Sequence, residues 1–189
     1  MPMKQQAENL NDIRNAVRDV CKKYDGVYWR SLEKEGKYPE EFVAEMTDLG
    51  WLSALIPVEY GGGGMSVTEA SVILEEINRS GGDSAACHAQ MYIMGVILRH
   101  GNSYQKQKYL PQLVSGEHVG SLAMSEPGAG SDVVSMKLRA EKKGDRYILN
   151  GNKFWITNAP DADVLVVYAK TDPEAKPVSY TNLKLPTKA

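Results

Sequence analysis

Two stretches of this chain carry residue types suited to gripping a flat molecule with a polar rim. The first, Leu122-Ala123-Met124-Ser125-Glu126-Pro127-Gly128-Ala129-Gly130-Ser131-Asp132, reads as a strand running into a loop rich in glycine and serine. Such a loop presents backbone N–H groups and hydroxyls, which suit a phosphate or a polar ring edge. An ordinary turn between strands would use the same residues. Gly128 and Gly130 resemble part of a dinucleotide fingerprint, but position 133 is Val and the residues after it alternate like a strand. No helix opens there, so no Rossmann unit is expected. The second stretch is Phe154-Trp155-Ile156-Thr157. Alternation along a strand puts Trp155 and Thr157 on one face, a broad ring beside a donor and acceptor. Stacking a planar heteroaromatic group needs that pairing; a tryptophan filling a small core would need only the ring.

Other candidates carry less. The tract Gly61-Gly62-Gly63-Gly64 is either a flexible connection between helices or a loop whose backbone closely approaches another surface or a ligand. His88, His100 and His118 have no metal-ligand spacing, and His100 beside a helix end reads as a dipole contact. Asp161 and Asp163 read as a solvated pair, and Lys22-Lys23 and Lys142-Lys143 as surface charge. Cys21 and Cys87 match no metal or redox motif and sit on apolar helical faces, as buried thiols of a reducing compartment do. No metal site is expected, and neither a nucleophile elbow nor a P-loop occurs.

The elements that must position these residues change period along the chain. Ile13, Val17, Val20, Cys21 and Tyr24 form one helical stripe. A second helix is expected from Pro39 to Gly50, with Phe42, Val43, Met46 and Leu49 inward. Ser66 and Glu69 spell a capping box before a helix carrying Ala70, Leu74 and Ile77. Asp83 caps a helix through Met91, Met94, Ile97 and Leu98, and Ser103 opens another that Pro111 should kink or interrupt. From His118 the period is two. Strands are expected at 121–126, 136–141, 147–149, 153–157 and 164–170, with turns at Lys143-Gly144-Asp145 and at Asn150-Gly151, a strong hairpin signal. The fold class is therefore α+β: an all-α domain over residues 1–117, then a partial antiparallel β domain over 118–179. Residues 180–189 show no clear period. So few strands leave an open sheet edge, which points to a further partner or further chain.

Composition agrees with a globular protein. The 189 residues are 42% hydrophobic and 24% charged, with 22 Lys and Arg against 24 Asp and Glu. A net charge of -2 gives no basic field for nucleic acid or an anionic membrane. Apolar runs are short, so membrane insertion is not expected. The N-terminus shows neither a signal core nor an arginine-rich transit pattern, which makes a cytoplasmic protein the default expectation.

Taken together, three motifs resemble the acyl-CoA dehydrogenase family: Pro57-Val58-Glu59-Tyr60-Gly61-Gly62, the 122–132 stretch, and Asn150-Gly151-x-Lys153-x-Trp155-Ile156-Thr157-Asn158. The resemblance covers roughly residues 8–179. Residues 122–172 look most like the isovaleryl-CoA branch, and residues 85–92 more like bacterial-type members. It implies an N-terminal helical domain, a middle β domain and a C-terminal helical domain, with FAD between the last two. Carried over by motif, Leu122, Met124, Ser125, Gly130 and Ser131 line the flavin, and Trp155, Ile156 and Thr157 flank its ring. Ser125 would bond the pyrimidine edge, Thr157 would sit near the reactive nitrogen, and Ser131 would also touch the acyl-CoA. The implied reaction is α,β-dehydrogenation of an acyl-CoA thioester, in which a glutamate takes the α-proton and the β-hydride passes to the flavin. An electron-transferring flavoprotein as acceptor, a homo-oligomer and, in a processed eukaryotic form, the mitochondrial matrix follow from the same resemblance.

The family's catalytic glutamate lies in its C-terminal helical domain, and no carboxylate in residues 1–189 matches it. Glu126 belongs to the flavin-loop motif. The catalytic set of this chain is thus expected to be empty, with little turnover alone, and residues 180–189 are read as a tail outside the family pattern. A non-catalytic flavin-binding or interaction module, and an oxidase or monooxygenase of the same fold, are the competing readings.

Overall fold

The computed structural model describes residues 3–172 and 180–186. They fall into two compact units that part between His118 and Val119.

The first unit contains α1 (Met3–Cys21), α2 (Gly26–Glu35), α3 (Glu40–Asp48), α4 (Val67–Arg79), α5 (Ala85–His100) and α6 (Ser103–Val114). The stripe of α1 is inward: Ile13, Val17, Val20 and Cys21 are buried, and Tyr24 just beyond packs edge-on against Tyr28 and Phe42. Helix α2 was not legible from apolar periodicity because none of its residues is buried. Its signal is the cap, where the Asp25 carboxylate accepts from the Val27 and Tyr28 amides. In α3, Phe42, Val43 and Met46 are buried as expected, whereas Leu49, just past the helix, is exposed. The Ser66–Glu69 capping box forms. Helix α4 also buries Glu76, which ion-pairs at 2.7 Å with the partly exposed Arg18, so charge as well as apolar packing joins α1 to α4.

Asp83 caps α5 through the Ala85 amide at 2.8 Å. This helix buries Ala86, Cys87, Ala89, Gln90, Met91, Ile93, Met94 and Ile97, well over one stripe, because it runs through the middle of the unit. Both cysteines are free and buried, and burial pushes the Cys87 thiol up to about 12. Helix α6 is opened by an Asn102–Gln105 capping box and runs through Pro111 without interruption, the Ser115 amide bonding the Pro111 carbonyl at 2.9 Å. Proline removes one backbone bond near the helix end, while Leu110 and Leu113 on either side are fully buried and hold the last turn in place.

The glycine tract is not a flexible connection. The Gly63 amide bonds the Ser53 carbonyl, Gly64 bonds Ile56 and Met65 bonds Ala54, at 3.1, 2.8 and 2.7 Å, so the tract is laced onto residues 53–56.

The second unit is a five-stranded sheet of β1 (Gly120–Ala123), β2 (Arg139–Lys143), β3 (Arg146–Asn150), β4 (Val164–Lys170) and β5 (Tyr180–Pro186). The helical-then-β order expected of the fold class is present, but the strand pairing is mixed. β2–β3 and β4–β5 are antiparallel, whereas β1–β4 and the single β2–β4 pair are parallel. Crossovers of this kind leave no mark on the two-residue period. β5 runs the length of β4, so β1 and β2 share its opposite edge, β1 at 164–167 and β2 at Lys170. The stretch from 180, expected to be without regular structure, is thus a strand.

The Lys143-Gly144-Asp145 turn joins β2 to β3, while Asn150-Gly151 does not make a hairpin. β3 ends at Asn150, and a Cβ at Gly151 would stand 2.7 Å from the Leu138 Cα. Gly151 is there for close approach. The sheet core is Ala123, Leu138, Ala140, Val167 and Ala169, with Tyr147, Leu149, Ile156 and Leu165 against it. Among the described residues no helix is long and apolar enough to cross a membrane.

Candidate functional site

β1 delivers the chain into the 124–131 loop. Ser121 is buried and Leu122, Met124 and Ser125 are half-buried, while Gly130 and Ser131 are exposed on the far limb. The loop closes on itself through reciprocal bonds between Glu126 and Ala129, at 2.9 and 3.1 Å.

The 153–157 segment, expected as a strand, pairs with nothing in the sheet. It lies along the loop instead: the Phe154 amide donates to the Ser125 carbonyl at 2.9 Å, and the Ser121 hydroxyl donates to the Thr157 carbonyl at 2.6 Å. The backbone here is unlike a strand, because Trp155 and Asn158 are both left-handed, with φ of 55° and 64°. For a bulky residue such as tryptophan this conformation is strained, and it persists only where the surroundings dictate it. Trp155 is 87% exposed, so it is not core filler. Its ring meets Phe154 edge-on at 5.6 Å. Ile156 points into the sheet core, and Thr157 is exposed. The alternation that placed Trp155 and Thr157 on one strand face is therefore absent. The two main stretches singled out from sequence, 122–132 and 154–157, are nevertheless brought together, through the Phe154 amide and the Ser125 carbonyl.

What binds them is a buried ion pair. Lys153 Nζ lies 2.9 Å from Glu126 Oε1, with both side chains under a tenth exposed. Glu126 also accepts from the backbone amides of Lys137 at 2.6 Å and Leu138 at 2.9 Å, and Lys153 donates to the Met124 carbonyl at 2.8 Å. Burial alone would raise the Glu126 pKa; the two amides and the lysine outweigh it and hold the carboxyl below its ordinary 4.5. Glu126 is thus an ionised structural anchor, fully committed to its partners. A depressed folded-state value contributes stability that is complete above the unfolded pKa and lost as pH falls through the folded one. The second unit is expected to keep this contribution above about pH 4.5 and to lose it on further acidification. Glu126→Gln should flatten that acid limb in urea denaturation followed against pH; an unchanged limb would mean another carboxylate governs it.

The remaining candidates are structural. Asp163 is not a solvated partner of Asp161: its carboxylate accepts from the Val119 amide at 3.0 Å, pinning the entry to β1, while Asp161 is exposed. His88 packs edge-on against Tyr92, and the described residues contain no cluster able to hold a metal ion. Lys153 stands in the 150–158 motif, but sequence reasoning gave it no role, because its partner Glu126 lies 27 residues away.

Comparison with known proteins shows the family of the chain. The family model for the acyl-CoA dehydrogenase N-terminal domain matches residues 7–117, and that for the middle domain matches residues 121–188. The chain belongs to the acyl-CoA dehydrogenase family. As an acyl-CoA dehydrogenase family member it is 57% identical over 178 residues to the mitochondrial isovaleryl-CoA dehydrogenase of Pongo abelii, covering 92% of this chain and 42% of the relative. Among solved structures it is similar to an acyl-CoA dehydrogenase from Geobacillus kaustophilus, with a TM-score of 0.86, 36% identity, and 96% and 48% of the two chains covered. It is also similar to a glutaryl-CoA dehydrogenase from Mycobacterium smegmatis in complex with FADH2, with a TM-score of 0.85, 29% identity, and 95% and 46% covered. The chain thus spans less than half the length of these relatives. The middle-domain match runs to residue 188 and takes in the β5 segment, which the sequence reading set apart as a tail outside the family.

Proposed function

We propose that the second unit supplies the flavin-facing half of an acyl-CoA dehydrogenase site, with FAD as cofactor and a short branched acyl-CoA of the isovaleryl type as substrate. The observation that supports this best is Trp155, a large ring held exposed in a strained backbone state beside the half-buried Met124 and Ser125. An exposed indole costs solvation and a left-handed tryptophan costs strain, so both fit a surface kept ready for a planar ligand. In this reading Leu122, Met124, Ser125, Gly130 and Ser131 line the flavin. Trp155 flanks its ring, while Ile156, expected from the motif to flank it too, packs into the sheet core and anchors the segment from behind; Thr157 and Ser125 offer hydroxyls to its polar edges, and Ser131 also meets the acyl-CoA.

FAD would accept the hydride from the β-carbon. The residues of this chain orient the ring and keep water from one of its faces. The α-proton requires a base, and Glu126 is not that base: its oxygens are held by two amides and Lys153. No other carboxylate among residues 1–189 is assigned the role. An electron-transferring flavoprotein as acceptor and a homo-oligomeric assembly belong to the same proposal, as does a mitochondrial matrix location in a eukaryotic setting.

The test is a visible absorption spectrum of the FAD-reconstituted protein, recorded anaerobically before and after isovaleryl-CoA. Bound oxidised flavin is expected, and Trp155→Ala should weaken its binding about tenfold, the worth of one good aromatic contact. Bleaching on addition of substrate would show that a base acts within this sequence. Failure to bind flavin would overturn the reading in favour of a non-catalytic module.

A further inference from the structure

The Glu126–Lys153 pair sits one step away from the strained residue. Lys153 is tied to Met124 and Glu126, the next amide, Phe154, is tied to Ser125, and the chain then enters the left-handed state at Trp155. On the far side the segment is pinned at Thr157 by Ser121 and at Asn158, whose side-chain amide reaches the Gly120 carbonyl at 3.5 Å. The exposed indole has little packing to hold it, so its orientation is set by these backbone ties. Glu126 extends the ties to a third segment through the amides of Lys137 and Leu138, at the approach to β2.

We propose that Glu126 and Lys153 are a positioning pair: together they lock the 124–131 loop onto the 153–157 segment and fix Trp155 for its ligand. The pair touches no ligand itself. A buried ion pair contributes little to net stability compared with an apolar replacement of the same shape, but it fixes one register and disfavours others, because either charge without its partner stays buried and uncompensated. That the ligand is a flavin rests on the function proposed above; that the pair orders Trp155 does not.

The full chain labelled with 5-fluorotryptophan gives one 19F resonance for each of its three tryptophans. Trp155 is identified by the signal lost in Trp155→Phe. In the ligand-free protein, Lys153→Met and Glu126→Gln are each expected to move the Trp155 resonance toward its position in the urea-unfolded chain, with the Trp29 and Trp51 resonances unmoved. The double variant should move it no further than the larger single change, since the two residues act as a unit. Glu126→Gln keeps the shape and one acceptor, and it decides the matter if Lys153→Met fails to fold. A Trp155 resonance at its wild-type position in a folded Glu126→Gln protein overturns the pairing, as do additive shifts in the double variant. FAD titration then separates the two proposals. If the wild type binds FAD, affinity should fall ten- to a hundredfold in the single variants, the range seen when partners that orient a binding group are removed. Unchanged affinity with a displaced Trp155 overturns the pair's role toward the flavin. A wild type that binds no FAD overturns the flavin reading and leaves the fluorine result to judge the pair.

Discussion

Replacing Glu126 by alanine is expected to destabilise the second unit by roughly 3–5 kcal/mol, the usual cost of breaking a buried ion pair from one side. The arrangement makes this one of the most damaging single changes in the sheet. Truncation strands the Lys153 ammonium, which is less than a tenth exposed, and removes the acceptor of two amides at the approach to β2. Orphaning the buried Leu138 amide alone costs about 1–3 kcal/mol. Glu126→Gln should cost distinctly less, because its carbonyl oxygen can still serve one amide. Urea denaturation monitored by circular dichroism, with both variants at neutral pH, measures the difference. A loss under about 1 kcal/mol for the alanine variant would show that water readily reaches Lys153 and that the pair behaves like a surface bridge.

Gly62→Ala is expected to be the costliest conservative change in the helical unit, at about 3 kcal/mol or more. A Cβ there would lie 2.1 Å from the Ile56 carbonyl oxygen and 2.5 Å from the Ile56 Cβ. Neither can yield easily: Ile56 is 1% exposed, and its carbonyl accepts from the Gly64 amide. Relief would require the tract to peel away from residues 53–56 and lose the bonds that lace it there. Gly95→Ala is the control, since nothing lies within 4 Å of its Cβ position and it stands inside α5. Removing a helical glycine should leave stability unchanged or raise it by about 0.5–1 kcal/mol. Comparable thermal midpoints for the two variants would refute the close approach at Gly62.

The origins of these two effects differ in how far they could be read from sequence. Periodicity located the stripe of α1 and the long helices α4 and α5, because each buries one face or, in α5, half of its residues, and burial is what writes the period. Local chemistry located the Ser66–Glu69 and Asp83 caps for the same kind of reason: a cap is settled by the residues within one turn. Helix α2 escaped because it buries no residue, and Pro111 misled because the cost of one missing bond is small beside two fully buried leucines.

In the candidate site the sequence marked two stretches by their chemistry, and the fold decided how they meet. The motifs at 122–132 and 150–158 are legible as chemistry: small residues and hydroxyls in one, an aromatic with polar neighbours in the other. Their mutual placement is not, because it depends on contacts across 27 and 36 residues, Lys153 to Glu126 and Ser121 to Thr157. A strand was the natural local expectation for 153–157, yet Trp155 stands left-handed and exposed because bonds from Met124, Ser125, Glu126 and Ser121 outweigh that preference. The parallel placement of β1 against β4 was equally hidden, since strand direction leaves alternation unchanged. Composition, caps and apolar spacing by themselves set the helical half except for α2, the places of β1 to β4 and the chemical character of the loop, but not β5 or the irregular 153–157 segment. Only the tertiary structure turned a glutamate and a lysine into a buried clamp, because an ion pair exists only where the folded chain brings its two ends together.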